Sequence, residues 1–180
     1  MQPFASRLPF RLQGTTLRPL VHADLHTFHA YRSDSVLAAF QGWSPMSVEA
    51  TRKFIEEMSS FSALRAGDWI QLGIAEAGSN SLVGDVGIYL EVDETVAEIG
   101  FTLCRAAQGL GHATRALQAS LALVFSTSAV EAVRAVTDVR NVRSVHLLER
   151  LNFERILIQE AVFKGEPCTE SVYVYRRTDA

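Results

Sequence analysis

The chain predicts a mixed α+β domain: a seven-stranded, mostly antiparallel sheet flanked by about four helices. Three observations carry this expectation. Apolar residues recur at helical spacing in the first quarter, three β-like runs joined by short turns fill the middle, and helix, strand, helix, strand, strand follow in order. Strands joined by a turn run antiparallel, whereas strands joined through a helix run parallel, so the sheet must be mixed. With 180 residues the chain suits one domain, 1–180, with one sizeable core.

The elements follow in order. Thr16-Leu17-Arg18-Pro19-Leu20 reads as a short edge strand, because Pro19 cannot donate to a central ladder. Leu25, Phe28 and Tyr31 define a helix over Asp24 to Arg32. A second helix starts after Pro45 with Ser47 as N-cap and buries Phe54, Ile55 and Met58. Trp69 to Ala75 and Leu82 to Leu90 are strands linked through Gly78-Ser79-Asn80, and Val96 to Leu103 follows the turn at Val92 to Thr95. The next helix places Ala113, Ala116, Leu117, Leu121, Val124 and Phe125 on one face. Val133 to Val139 alternates as a strand and Val142 to Arg150 returns to helix; Phe153 to Ile158 and Val172 to Tyr175 close the sheet around a turn at Lys164 to Pro167. There is no repeat, low-complexity tract or linker.

Chemistry concentrates where the third of the middle strands gives way to a helix, at Gln108-Gly109-Leu110-Gly111-His112-Ala113-Thr114. Gly109 and Gly111 can take positive φ and lack the Cβ that would hold an anion away, so successive N–H groups can point outward. The helix dipole adds positive potential at the same place. No Asp or Glu occurs from Ile99 to Val130, while Arg105, Arg115 and His112 do. A Walker loop is excluded because no Lys follows the glycines, and a dinucleotide fingerprint because Thr114 stands where a third Gly or Ala belongs.

Bulk properties narrow the field. A hydrophobic content of 48%, 21% charged residues and a formal charge of −3 describe a folded protein without the basic face of a nucleic-acid binder. No apolar run reaches the ~20 residues of a membrane helix, and no signal-peptide core opens the chain, so the expected location is the cytoplasm. Cys104 and Cys168 show no C-x-x-C spacing, which suits free thiols in a reducing compartment. His22, His26 and His29 share a helix, yet no carboxylate-rich partner motif accompanies them, so no metal is expected.

Four separated segments resemble the ribosomal-protein N-terminal acetyltransferase branch of the GNAT superfamily. They are Leu17-Arg18-Pro19-Leu20 with Asp24, Ala97-Glu98-Ile99-Gly100-Phe101, the loop Gln108 to Thr114, and Asn141-x-x-Ser144 followed by Glu149 to Phe153. The resemblance implies a splayed sheet that admits the pantetheine arm of acetyl-CoA between the strand at Ala97 to Gly100 and the strand at Val133 to Val139. It implies cofactor contacts at Ile99, Gly100, Phe101, Gln108, Gly109, Leu110, Gly111, His112, Ala113, Thr114 and Asn141. Two positions depart from the wider family. Leu148 stands where a thiolate-protonating Tyr is common, with Ser144 as the branch's substitute, and Asn152 replaces a Gly in the left-handed position, where Asn is the best alternative.

The activity so implied is direct transfer of acetyl from acetyl-CoA to a primary amine, on a protein N-terminus or a small molecule, within a ternary complex. Reference pKa values near 8 and 10.4 mean that making an α-amine or a lysine neutral at pH 7 costs about 1.4 or 4.6 kcal/mol, so an α-amine needs little help. Glu98, through water, is the expected base and Ser144 the expected aid to the thiolate. Each has a plainer competing role: Glu98 balancing a neighbouring Arg, Ser144 bonding a helix carbonyl, Asn141 capping a helix. Phe40, Trp43, Trp69 and Tyr89 are acceptor-site candidates, with core packing as the alternative. Two other functions fit the residues, an acyl-CoA sensor without turnover and a transferase of another acyl group such as succinyl. The family often dimerises through terminal strands or helices, and Val172 to Tyr175 is a candidate edge for a homodimer.

Overall fold

A computed structural model of the chain describes residues 4–177. Its frame is one eight-stranded sheet made of β1 (Phe10–Leu12), β2 (Thr15–Pro19), β3 (Trp69–Glu76), β4 (Leu82–Leu90), β5 (Val96–Leu103), β6 (Ala132–Asp138), β7 (Glu154–Phe163) and β8 (Glu166–Arg176). The spatial order is β1-β2-β3-β4-β5-β6-β8-β7, and the pairing is antiparallel except between β5 and β6. Five α-helices accompany it: α1 (Leu25–Arg32), α2 (Ser35–Ala38), α3 (Val48–Ser59), α4 (His112–Thr127) and α5 (Val142–Arg150).

Local chemistry explains the boundaries. Ser47 caps α3 by accepting from the Ala50 N–H, Asp34 caps α2 through Val36 and Leu37, and Asn141 caps α5 through Ser144. Asn152 adopts φ of 62°, the left-handed step that stops α5 and turns the chain into β7. Alternation along β4 divides the two faces. Val86 and Ile88 point into the large core with Leu117 and Leu123 of α4, while Asp85 points to the other face and meets Tyr31 of α1. A smaller apolar cluster of Leu20, Leu25, Phe28, Tyr31, Ile55 and Leu82 lies beneath α1 and α3.

Four expectations change. The sheet has eight strands, not seven, because the three residues of β1 add to β2. Consequently β2 is not an edge: Pro19 survives there because β1 pairs only Thr15 to Leu17 and demands no N–H from Pro19. Asp34 starts a fifth, one-turn helix, α2. Finally, β7 and β8 run far past the predicted segments to a two-residue turn at Lys164 and Gly165, both with positive φ, and β8 lies between β6 and β7. Val172 to Tyr175 is therefore interior, and the edge at this end of the sheet is β7.

Candidate active site

The loop between β5 and α4 has the backbone its glycines permit. Gly109 and Gly111 both sit at φ of 80°, and Gly111 is the N-cap of α4. The N–H groups of Gly109 through Thr114 donate to nothing among the described residues, and six such donors at a helix start make an anion cradle. Arg115 fixes the loop from below, its Nη2 donating to Leu110 O at 2.8 Å and its Nε to Thr15 Oγ1 at 2.9 Å. A Cβ on Gly111 would lie 2.7 Å from Arg115 Nη1, so the glycine also makes room for this staple. Thr15 Oγ1, having accepted from Arg115, lies 2.9 Å from Nδ1 of buried His112, which presents only its backbone to the cradle. Burial, with help from Arg115, lowers the His112 pKa and favours the neutral ring.

Beside the loop the sheet opens. β5 and β6 pair over three residues each, Val96 to Glu98 against Ala132 to Arg134, and then separate, although β5 continues to Leu103 and β6 to Asp138. Side chains occupy part of the gap, with Gln41 Nε2 donating to Phe101 O and Gln108 Nε2 to Leu103 O, each at 3.3 Å. A cavity of about 410 Å³ fills the wedge between β5, α2 and α5. Phe101, Gln108, Gly109, Gly111, Ala113, Thr114, Asn141 and Ser144 line it together, and so does Phe40. No Asp or Glu does. The hydroxyl of Ser144 has no hydrogen-bond partner among the described residues, so it is not spent on a helix carbonyl.

The remaining predicted residues lie elsewhere. Leu110 and His112 are in the loop but off the cavity wall, and the Ile99 side chain is packed in the core. Leu148 is in the core as well and does not line the wedge. Glu98 sits at the vertex where β5 leaves β6, facing away from α4, and Arg134 holds its Oε2 at 2.8 and 3.0 Å. Arg134 also reaches Glu91. On that face Tyr89 pairs with Glu98 across the strands, Trp69 lies against Tyr89 with ring centroids 5.4 Å apart, and space above Gly100 is open. Trp43 instead stacks on Arg32, 4.7 Å from its guanidinium carbon. Lys164, at the β7–β8 turn, donates to the carbonyls of Ala38 and Trp43 and ties that turn to the segment between α2 and α3.

Beneath this face lies a network not anticipated from the sequence. Asp85, fully buried, accepts from Tyr31 Oη at 2.6 Å, from Arg32 Nη2 and from Gln71 Nε2. Burial first, then the Asp85 charge, raises the Tyr31 pKa well above its ordinary value, so the phenol keeps its proton. The four residues lie in three separate segments, so only the paired strands and α1 reveal the group. Arg143, His146 and Arg150 of α5 line the cavity too, and their i, i+3, i+7 spacing was the available signal. Among the described residues no set of His, Cys, Asp or Glu gathers to hold a metal, both cysteines are free, and no helix is long and apolar enough to cross a membrane.

Comparison with known proteins agrees with this geometry. The family model described as Acetyltransferase (GNAT) domain matches residues 15–154. A GNAT-family acetyltransferase from Bacillus anthracis superposes with a TM-score of 0.82 at 21% identity, covering 93% of this chain and 97% of that one. The ribosomal alpha-N-protein acetyltransferase RimL gives 0.77 at 19% identity, with 92% of each chain covered. The Microcin C7 self immunity acetyltransferase MccE, solved with acetyl-CoA and AMP, gives 0.77 at 15%, covering 92% of this chain and 94% of that one. At such identities these structures speak for the fold. No curated protein matches the chain.

Proposed function

The chain belongs to the GNAT acetyltransferase family, and on that premise we propose that it transfers acetyl from acetyl-CoA directly to a primary amine in a ternary complex. One observation carries the proposal: Gly109, Gly111, Ala113 and Thr114, whose N–H groups are free among the described residues, line the same cavity as Asn141 and Ser144, where β5 and β6 separate. MccE, of similar fold, was solved with acetyl-CoA, which supports the donor. Diphosphate on the loop and a pantetheine arm along the exposed edge of β5 fit this shape, and the absence of carboxylates from the cavity wall removes a source of repulsion.

The chain's own groups then divide the work. Gln108 and Asn141 hold the donor's polar arm, and strand N–H groups near Ile99 and Phe101 polarise the thioester carbonyl. The amine enters over Gly100, from the face bearing Trp69 and Tyr89. Glu98 takes its proton through water, and the unengaged hydroxyl of Ser144 stabilises the departing thiolate. For an α-amine the base supplies little, about 1.4 kcal/mol at pH 7, which a relayed and Arg134-paired carboxylate can provide. The acceptor is accordingly an α-amine, on a peptide or a small molecule. A strand-mediated homodimer would use β7, whose Ile156, Ile158 and Val162 are exposed, and sedimentation velocity tests it.

Thiol release with acetyl-CoA and a panel of α-amines and ε-amines tests the whole reading. Release that depends on α-amines supports it, and Glu98→Gln then lowers kcat about tenfold or more with little change in KM for the donor. A kcat within about twofold of wild type across pH removes Glu98 from the role. The ion pair to Arg134 favours one second reading, an acyl-CoA binder without turnover. Donor binding without acceptor-dependent release would establish that alternative.

A further inference from the structure

The face over which the amine enters holds one polar side chain that the proposed chemistry does not use. Strand register lines up Gln71, Gly87 and Gly100 in a single row across β3, β4 and β5, and residues paired in this way share a face. One neighbouring row is Trp69, Tyr89 and Glu98, and the row on the other side ends in Asp85 and Thr102. Two adjacent glycines therefore make a shelf, about 5 Å from strand to strand, between larger side chains. Gln71 reaches onto it. A Cβ on Gly87 would lie 3.0 Å from Gln71 Oε1 and 3.1 Å from the Trp69 ring, whereas one on Gly100 would meet nothing within 4 Å. The glutamine oxygen thus covers Gly87 and borders the open space over Gly100.

Asp85 sets the direction of that oxygen. It already accepts from Tyr31 Oη and Arg32 Nη2, and a carboxylate has only lone pairs to offer, so the Gln71 amide presents Nε2 to it. The amide oxygen is thereby turned away from Asp85, and Gln71 Oε1 accepts no hydrogen bond among the described residues. We propose that Gln71 orients the acceptor: its Oε1 takes a hydrogen bond from the second N–H of the attacking amine and makes this chain select primary over N-methylated amines. The inference rests on the transferase reading, with the amine over Gly100, and adds the group that sets the acceptor class. As nitrogen attacks, the N–C bond forms, the C–S bond breaks to release the thiolate, and one proton leaves nitrogen through water to Glu98. The other N–H stays on a nitrogen that is turning positive, so its bond to Gln71 Oε1 is stronger in the transition state than before it. An N-methyl amine spends its one N–H on the water and turns a methyl group toward an oxygen left without a donor.

Steady-state thiol release by the full chain tests this, using the fastest α-amine of the panel and its N-methyl derivative with wild type and Gln71→Met. Methionine keeps the length of the side chain and leaves Asp85 its bonds from Tyr31 and Arg32. Wild type should favour the primary amine about tenfold or more in kcat/KM. Gln71→Met should lose about tenfold on the primary amine, mainly in kcat, and little on the N-methyl amine, so that the ratio shrinks to within about threefold. A glutamine that only supported the fold would lower both acceptors together and keep the ratio, which overturns the proposal. Equal use of the two amines by wild type overturns it as well. Donor affinity by calorimetry should stay within about twofold in the variant, and if Gln71→Met fails this check of folding, Gln71→Leu supplies the ratio. Either failure of the ratio leaves the transferase reading standing, whereas wild type that releases thiol with no α-amine removes both.

Discussion

Two pairs of arginines show how one side chain serves opposite ends in this fold. Arg18 and Arg32 are buried, and each closes on a buried aspartate, Asp24 at 2.7 and 2.8 Å and Asp85 respectively. Arg143 and Arg150 are exposed on a cavity wall with no carboxylate in reach. In the first pair the charge is satisfied inside the chain, so it fixes architecture: Arg18 also holds Asn80 and its carbonyl, joining the end of β2 to the β3–β4 hairpin. In the second no carboxylate among the described residues takes up the charge. Burial and a carboxylate partner, not residue type, make an arginine part of the architecture.

The comparison breaks most visibly at Asp85. Asp85→Ala strands the buried Arg32 charge and should cost about 3–5 kcal/mol in chemical denaturation, whereas the double change Asp85→Leu/Arg32→Met should recover much of that. A loss below about 1 kcal/mol for the single variant would mean that Arg32 is not held by this pair. Next come the loop glycines. Both need positive φ, but only at Gly111 does a new Cβ also strike Arg115, so Gly111→Ala should lose about 1–2 kcal/mol and weaken donor binding more than Gly109→Ala. Equal effects would show that Arg115 simply moves aside.

Acidification gives a smaller effect. Because the folded His112 pKa is lowered, the unfolded chain binds its proton first as pH drops, so stability is intact above about 6.5 and falls below it until the folded ring also protonates. His112→Gln should flatten that part of the stability profile, and an unchanged slope would assign it to other groups. Smallest of all, Arg150→Gln should stay within about 0.5 kcal/mol of wild type in the same denaturation assay, as expected of a side chain that supports nothing in the free protein.

Legibility followed the range of the interactions involved. Ser47, Asn141 and Asn152 act on neighbours within a few residues, so the ends of α3 and α5 could be read directly. The limits of β4, β5 and α5 matched for the same reason. The extra strand β1 could not be read, because three residues carry too little periodicity, and the length of β7 escaped because its outward face is apolar and exposed, which breaks the alternation. At the site, the glycine loop with Asn141 and Ser144 was visible as a motif. The Asp85 network was not, since Tyr31, Arg32, Gln71 and Asp85 meet only through strand register and helix packing.

What the amino-acid order settles unaided is local: which backbone turns left-handed at Gly109 and Gly111, where caps fall, and which faces are apolar, because each depends on neighbours along the chain. What the folded state alone decides is which of those pieces share a space. The parting of β5 from β6 after Glu98, the enclosure of Asp85, and the exposure of the α5 arginines all depend on contacts between distant segments. Pairing and burial are properties of the packed chain, and they determine whether a given charge is consumed inside it or left at the surface.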